Sequence, residues 1–336
     1  MTADNAKKPE TTTIVFIGDV MLGRLVSEQI PHQPPESFWG NTLPIFQNAD
    51  AAFANLECAI TTHLTPWSRT PKVFHFGAVP EAIDVLKAGN ISFVSLANNH
   101  VLDFEDTGFV DTLKHLDKAG IAHAGGGVDL AEAREPAMVK VGDLTLAVFA
   151  VTDNTPEFAA SDRRPGTAYC NVADRSSWWP GSGDIAAARR DGADIVVLSA
   201  HLGPNMVEQP LPRLRTYKQA MIERGIDIVH GHSAHNFQAV ERFGPGLILH
   251  DSGDFLDDYA VDPVLRNDWS FIFAVEICQK RLRRLRLYPV RLSFAAVNLA
   301  EEEKADAIRS RMASLSDRFG THFQTDDTGF RLDLET

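Results

Sequence analysis

Residues 228–237 read "IVHGHSAHNF" and place His230, His232 and His235 within six positions. Neutral imidazole is a common ligand for divalent transition metals. Core histidines seldom cluster this way, so a metal site is one reading and a histidine-rich polar loop the other. Four further stretches end on related chemistry. "IVFIG" stops at Asp19, "AAFAN" leads to Glu57, "FVSLA" runs into Asn98, Asn99 and His100, and "IVVLSA" delivers His201. A mixed set of Asp, Glu, Asn and His suits Mn, Fe or Zn, and extends to Mg or Ca. Two such ions, about 3.5–4 Å apart, can clamp an attacking and a leaving oxygen. Each residue alone has an ordinary explanation: a cap for Asp19, an ion pair for Glu57, an Asx turn for "NNH". Five strand ends together do not.

These side chains need elements that bring them to one place. A buried strand cannot carry an unpaired carboxylate inward without losing several kcal/mol, roughly 3–5. At the carboxyl ends of strands the side chains can converge, and in open α/β sheets ligands bind at that edge. Helical stretches such as "PEAIDVLKAG", "DTGFVDTLKHLDKAG", "GDIAAARRDG" and "PRLRTYKQAMIERG" alternate with the strands. The strands are almost continuously apolar, so both of their faces are expected to be buried. "MVKVGDLTLAVFAVTD" reads as a hairpin around Gly142 and Asp143. Strands at "AVERFGPGLILHD", "SFIFAVEICQK" and "LRRLRLYPVRLSF" predict a second, mixed sheet packed on the first, followed by a last helix over 301–319. Residues 155–183 break the rhythm and read as a long loop or lid. Its Trp178-Trp179 pair could cover a substrate, but anchoring of the loop is the favoured reading.

Composition narrows the function classes. The chain has 336 residues, 44% hydrophobic and 23% charged, as ordinary globular proteins do. A net charge of −13 argues against a nucleic-acid-binding face. The basic run "KRLRRLRLYPVR", residues 280–291, reads as a strand with one wet face. Cys58, Cys170 and Cys278 are too far apart for a thiolate zinc motif or a disulfide framework. No window reaches the ~18 apolar residues of a membrane span, and no secretory h-region opens the chain, so a cytoplasmic protein is expected. The organisation predicted is a flexible N-terminus over 1–12 and one α/β domain over 13–336.

In order along the chain come "GDVMLGR" at 18–24, "NLECAIT" at 55–61, "LANNHVLDF" at 96–104, "HLG" at 201–203, "GHSAHNFQAVE" at 231–241 and "DSGDFLDDY" at 251–259. This ordered set resembles the CapA/PgsA family of capsule and poly-γ-glutamate synthesis proteins, within the calcineurin-like metallophosphoesterase superfamily. The resemblance implies a four-layer α/β/β/α sandwich of two mixed sheets around a two-metal site. It implies Asp19 and His235 on the first metal, Glu57 as the bridging carboxylate, and Asn99, His201 and His232 on the second. His100 would be general acid or charge stabiliser, oriented by Asp103, and Arg24 would hold an anionic substrate group. Met21 stands where the wider superfamily has a histidine, and Ser233 replaces another, which leaves the choice between His230 and His232 open. "DSGDF" in place of Ser-Leu-Gly-Asn-Phe puts Asp251 and Asp254 near the site.

The expected function is a metal-dependent hydrolase, with a metal-bound hydroxide attacking a phosphoester, or an amide such as a γ-glutamyl bond. One or two divalent ions would serve as cofactors, and the partner would be a small anionic, peptide or poly-γ-glutamyl substrate. Two alternatives are a metal-assisted peptide Cα epimerase, similar to lasso-peptide epimerases, and a non-enzymatic accessory protein of capsule or poly-γ-glutamate assembly.

Overall fold

The computed structural model describes residues 11–326 and 329–334. Of the flexible N-terminus expected over 1–12, residues 1–10 lie outside the described residues, and Thr11 and Thr12 already belong to the first strand.

A first sheet begins with β1 (Thr11–Val20), β2 (Ala51–Leu56), β3 (Ile91–Ser95) and β4 (Ala122–Ala124), each parallel to the next. The chain then builds a second sheet from β5 (Ala137–Val141), β6 (Leu144–Thr152), β7 (Ile195–His201), β8 (Ile228–His232), β9 (Val240–Phe243) and β10 (Gly246–Leu249). Their order is β9-β10-β8-β7-β6-β5. It returns to the first sheet with β11 (Asp254–Leu256), β12 (Trp269–Cys278), β13 (Arg281–Ser293), β14 (Ala296–Leu299), β15 (Gln324–Asp326) and β16 (Gly329–Asp333). That sheet runs β15-β16-β13-β12-β1-β2-β3-β4, with β11 beside β1 and β14 beside β13. Both sheets mix parallel and antiparallel pairs.

One expectation fails here. The strands after residue 260 do not form the second sheet. β12 pairs antiparallel with β1, from Thr11↔Cys278 to Phe16↔Phe273, and so extends the first sheet. The second sheet grows instead from the β5–β6 hairpin and the strands that end at His201 and His232. Strand character is a local signal, whereas the choice of partner edge is not.

Alternation along the strands makes the layers. Phe16, Phe53 and Phe93 of the first sheet share a core with Val148, Val197 and Ile228 of the second. Their rings meet edge-on or tilted, at 5.4 Å for Phe16–Phe53 and 5.2 Å for Phe53–Phe93. On the outer face of the first sheet, Val15, Ile17 and Val94 pack with Val85, Phe109 and Leu113 of the helices Ala82–Ala88 and Glu105–Ala119. On the outer face of the second, Phe149, Val196 and Leu198 pack with Ile185, Tyr217 and Met221 of the helices Ser182–Arg190 and Pro212–Glu223. Four layers result, α/β/β/α. The last helix, Glu302–Asp317, adds Ile308, Met312 and Leu315 to the core between the sheets.

The 155–183 segment is held down at its far end. Trp178 meets Tyr217 edge-on at 5.3 Å and donates from Nε1 to the Val172 carbonyl. Trp179 meets Phe149 at 5.3 Å, and its carbonyl accepts from the Tyr217 hydroxyl. The tryptophan pair therefore anchors the segment. On β13 the arginines are not simply wet: Arg284 and Arg286 pair with Glu276, and Arg284 also with Asp333. Among the described residues no helix is long and apolar enough to cross a membrane.

Candidate metal centre

Cross-strand register assembles the site. Asp19 near the end of β1 is the direct neighbour of Asn55 on β2 and of Asp254 on β11. His201 and His232, the last residues of β7 and β8, are neighbours in the second sheet. The two rows face each other where β1 approaches β8. There His230 donates from Nε2 to the Ile17 carbonyl at 2.9 Å, and its ring meets Phe16 edge-on at 5.3 Å. His230 thus ties the sheets together, and burial pushes it down to about 4, so it stays neutral at pH 7. Of the two histidines left open by the sequence, His232 is the one in the cluster. Gly18 permits the approach of the β11 segment: a Cβ there would lie 1.7 Å from the Gly253 carbonyl oxygen, which accepts from the Asp19 amide at 2.9 Å.

Two groups of side chains could hold a metal ion. One is Asp19, His201 and His232; the other is Asp19, Glu57, His235 and Asp254. Nδ1 of His201 lies 2.9 Å from Nδ1 of His232, and Oδ1 of Asp19 lies 4.0 and 3.9 Å from those two nitrogens. Ligand atoms that each sit about 2.1 Å from one ion are separated by about 3–4 Å, so this spacing fits a shared cation. In the second group, Nδ1 of His235 lies 2.8 Å from Oδ1 of Asp254 and 3.6 Å from Oδ2 of Asp19. Asp19 belongs to both groups. Glu57 lies in the second, and its Oε1 is also 3.9 Å from Nε2 of His201. Asn99 borders the first group, with Oδ1 2.9 Å from Nε2 of His201.

These carboxylates are set apart by what they do not touch. Oδ2 of Asp19, both oxygens of Glu57 and Oδ2 of Asp254 are buried with no hydrogen-bond partner among the described residues. Buried polar atoms are almost always paired, and a group with this many free acceptors could accommodate a cation. Burial pushes the Asp19 carboxyl well above the usual carboxylate range, opposed by His235 and reinforced by Asp254 and Asp251. Glu57 rises for the same reason, reinforced by the charge of Asp19. Burial drives His201 and His232 far below the ordinary imidazole range, leaving neutral nitrogens. His235 moves the other way. Burial lowers it, but Glu57 and Asp19 outweigh that. Neutral imidazoles beside uncompensated carboxylates are the donor set of a divalent cation.

Supporting contacts hold the ligand atoms in place. Asn98 donates to Oδ1 of Asn55 at 3.0 Å, and Asn55 donates to Oδ1 of Asp19 at 2.8 Å. Ser233 and His235 adopt φ values of 115° and 60°, which cost side chains of order 1–3 kcal/mol each. Asp251 offsets this by accepting from the Ala234 amide at 2.8 Å and the Gly253 amide at 2.9 Å, and so braces the segments that carry His235 and Asp254.

Beside the cluster, Nδ1 of His100 donates to Oδ2 of Asp103 at 2.6 Å, and Oδ2 also accepts from the Phe76 amide at 2.7 Å. Lys72, which the sequence did not single out, donates to the Asn99 carbonyl at 2.7 Å and lies 3.2 Å from Oδ1 of Asp103. Burial raises Asp103 to about 7 against the pull of Lys72 and the Phe76 amide. Burial and Lys72 push His100 well below its usual range. Phe76 stacks on the His100 ring at 3.8 Å. Arg24 lies 5.6 Å from the Phe76 ring centroid and 3.4 Å from Asp258, at a partly exposed position. Asp254, Lys72, Phe76 and Asn55 complete the neighbourhood. Of these, Asp254 carried a signal in the sequence through its place in "DSGDF" and Asn55 through its place in "NLECAIT", while Lys72 and Phe76 carried none.

The sequence pattern of the family described as bacterial capsule synthesis protein PGA_cap matches residues 13–259. A Mycobacterium tuberculosis protein named "Probable polyglutamine synthesis accessory protein" is 30% identical over 95% of both chains. The "PGA biosynthesis protein CapA" of Bacillus subtilis is 30% identical over 72% of this chain and 62% of its own. A solved 5′-nucleotidase of Candida albicans overlays at a TM-score of 0.43 and 10% identity, covering 92% of this chain and 58% of that one, a likeness too loose to argue from. With the pattern spanning most of its length and a relative matched nearly end to end, the chain belongs to the bacterial capsule synthesis protein PGA_cap family.

Proposed function

We propose that this chain is a divalent-metal-dependent hydrolase of phosphoester or amide bonds, γ-glutamyl bonds included, and that it serves capsule or poly-γ-glutamate metabolism. The observation that carries the reading is the set of buried, unpartnered oxygens on Asp19, Glu57 and Asp254 next to a paired His100 and Asp103. Asp19, Glu57, His201, His232, His235 and Asp254 would hold the ion or ions, with Asn99 at the margin. A bound divalent ion would lower the pKa of water and polarise a phosphoryl or carbonyl oxygen.

The chain's own residues do the rest. Asp103 holds the Nδ1 proton of His100, so Nε2 is the atom left to take a proton or to give one to a leaving group. Nε2 has no hydrogen-bond partner among the described residues, so a substrate can reach it without displacing a contact. Lys72 and Phe76 fix the pair, and Phe76 covers one face of the His100 ring. Arg24, beside Phe76, is placed to meet an anionic group of the substrate.

The test uses the full chain loaded with Mn, with bis(p-nitrophenyl) phosphate and γ-glutamyl-p-nitroanilide as probes. Turnover that is lost with chelator and with His100→Ala supports the reading. Stoichiometric metal without turnover of either probe sinks it, and deuterium uptake at a peptide Cα would then favour epimerisation. The name of the M. tuberculosis relative supports a second reading, a non-catalytic accessory role in polymer synthesis. Polymer binding that survives chelator would select it.

A further inference from the structure

The cluster is rich in acceptors, and of the cations beside it Lys72 is already engaged with the Asn99 carbonyl and Asp103, while Arg24 stands at the partly exposed margin. Ionised carboxylates only accept, and once Asp103 holds the Nδ1 proton, Nε2 of neutral His100 accepts as well. Besides Arg24 at the margin, a substrate with an anionic oxygen gains from a donor deeper in the cluster that is not itself a metal ligand. Tyr259 stands in that position. It follows β11 in the loop that leaves the Asp19–Asp254 row, where its amide donates to Oδ1 of Asp257 at 2.9 Å. Its ring meets the His235 imidazole edge-on at 5.3 Å and the Phe76 ring at 5.7 Å, and Phe76 in turn stacks on His100. The tyrosine therefore spans the gap between the metal-ligand group and the His100–Asp103 pair. Its hydroxyl oxygen is buried and has no hydrogen-bond partner among the described residues. A buried, unpaired hydroxyl beside that cluster is an expensive arrangement unless a ligand completes it.

We propose that Tyr259 is a further substrate-contacting residue whose hydroxyl donates a hydrogen bond to an anionic oxygen of the bound substrate, either a phosphoryl oxygen or the oxyanion of an attacked amide. This rests on the hydrolase reading for its catalytic consequence, but not for binding. Tyr259→Phe keeps the ring against His235 and Phe76 and removes only the hydroxyl. The full chain loaded with Mn is compared with this variant in three ways: Mn content, inorganic phosphate affinity by calorimetry, and turnover of bis(p-nitrophenyl) phosphate. The expected result is unchanged Mn content, phosphate binding weaker by about tenfold, and kcat lower by about 100-fold with little change in KM. Phosphate affinity within twofold of the wild type overturns the proposal. So does a parallel loss of Mn, which would show the hydroxyl serving the ligand carboxylates instead. A wild type that binds phosphate but turns over nothing removes the hydrolase reading while the phosphate comparison still decides Tyr259. A Mn-loaded wild type that does not bind phosphate also overturns the tyrosine's role.

Discussion

Glu57 and Glu241 are both almost wholly buried, at 0% and 2% exposure, yet their oxygens meet opposite surroundings. Oε1 of Glu241 accepts from Arg215 at 2.7 Å and Gln219 at 2.8 Å, and Oε2 accepts from Arg215 at 3.0 Å and His250 at 2.9 Å. Burial pushes its carboxyl up, but the hydrogen bonds from His250 and Arg215 more than offset this and hold it at about 2. Neither oxygen of Glu57 has a hydrogen-bond partner among the described residues, and burial with Asp19 alongside drives its carboxyl well above the usual range. A carboxylate buried for structure arrives with its donors. One buried for binding lacks them until a ligand brings them. Glu241 contributes to folding, whereas Glu57, buried without donors, opposes it.

That contrast can be broken by mutation. Glu241→Ala leaves Arg215 and His250 without their acceptor and should cost about 3–5 kcal/mol of stability, read from the urea midpoint. The idea of a purely structural pair fails if the cost is below about 1 kcal/mol. Glu57→Gln should have little or no such cost in chelator. It should instead weaken Mn binding by about 100-fold, or about 2.7 kcal/mol, in a calorimetric titration. Equal Mn affinity in the two proteins would remove Glu57 from the metal centre. Saturating Mn should likewise stabilise the wild type and the Glu241 variant by about 2–3 kcal/mol at 100 times Kd, but leave the Glu57 variant nearly unmoved.

Acid sharpens the same comparison. Because the folded carboxyl of Glu241 is depressed to about 2, against about 4.3 when unfolded, its contribution is complete above pH 4.5. It fades as pH falls toward 2. Arg215 is 37% exposed, so solvent screens part of the effect, and about 1–2 kcal/mol is expected. The stability difference between wild type and Glu241→Gln should shrink over that window, and a gap that stays constant to pH 2 would contradict the assignment. The smallest effect belongs to the residue that supports His100. Lys72→Met should lower kcat by about tenfold, or about 1.4 kcal/mol, with Mn content intact, and Lys72→Arg should recover part of it. Loss of Mn in Lys72→Met would instead assign the lysine to the Asn99 side of the site.

Much of this site was legible along the chain because its members close apolar strands. Asp19, Glu57, Asn99, His201 and His232 each stand at or just beyond the carboxyl end of such a run, and strand runs are read from local periodicity. Lys72 was not legible, and Tyr259 was visible only as the last residue of "DSGDFLDDY" with no role attached. They lie on irregular loops, and their roles come from contacts with Asp103, Asn99, His235 and Phe76 that no spacing encodes. Asp254 was visible as a carboxylate near the site. That it sits beside Asp19 depends on β11 running parallel to β1.

The amino-acid sequence by itself determined the α/β class, the strand-end chemistry and the family, because hydrophobic period and motif order are properties of neighbouring residues. Only the tertiary structure decided that β12 and β13 extend the first sheet, that His230 ties the two sheets while His232 joins the cluster, and that Asp19 belongs to both groups of candidate ligands. Those outcomes depend on which strand edges pair and which side chains then meet across the interface, and pairing is settled by the packing of the whole chain rather than by any single segment.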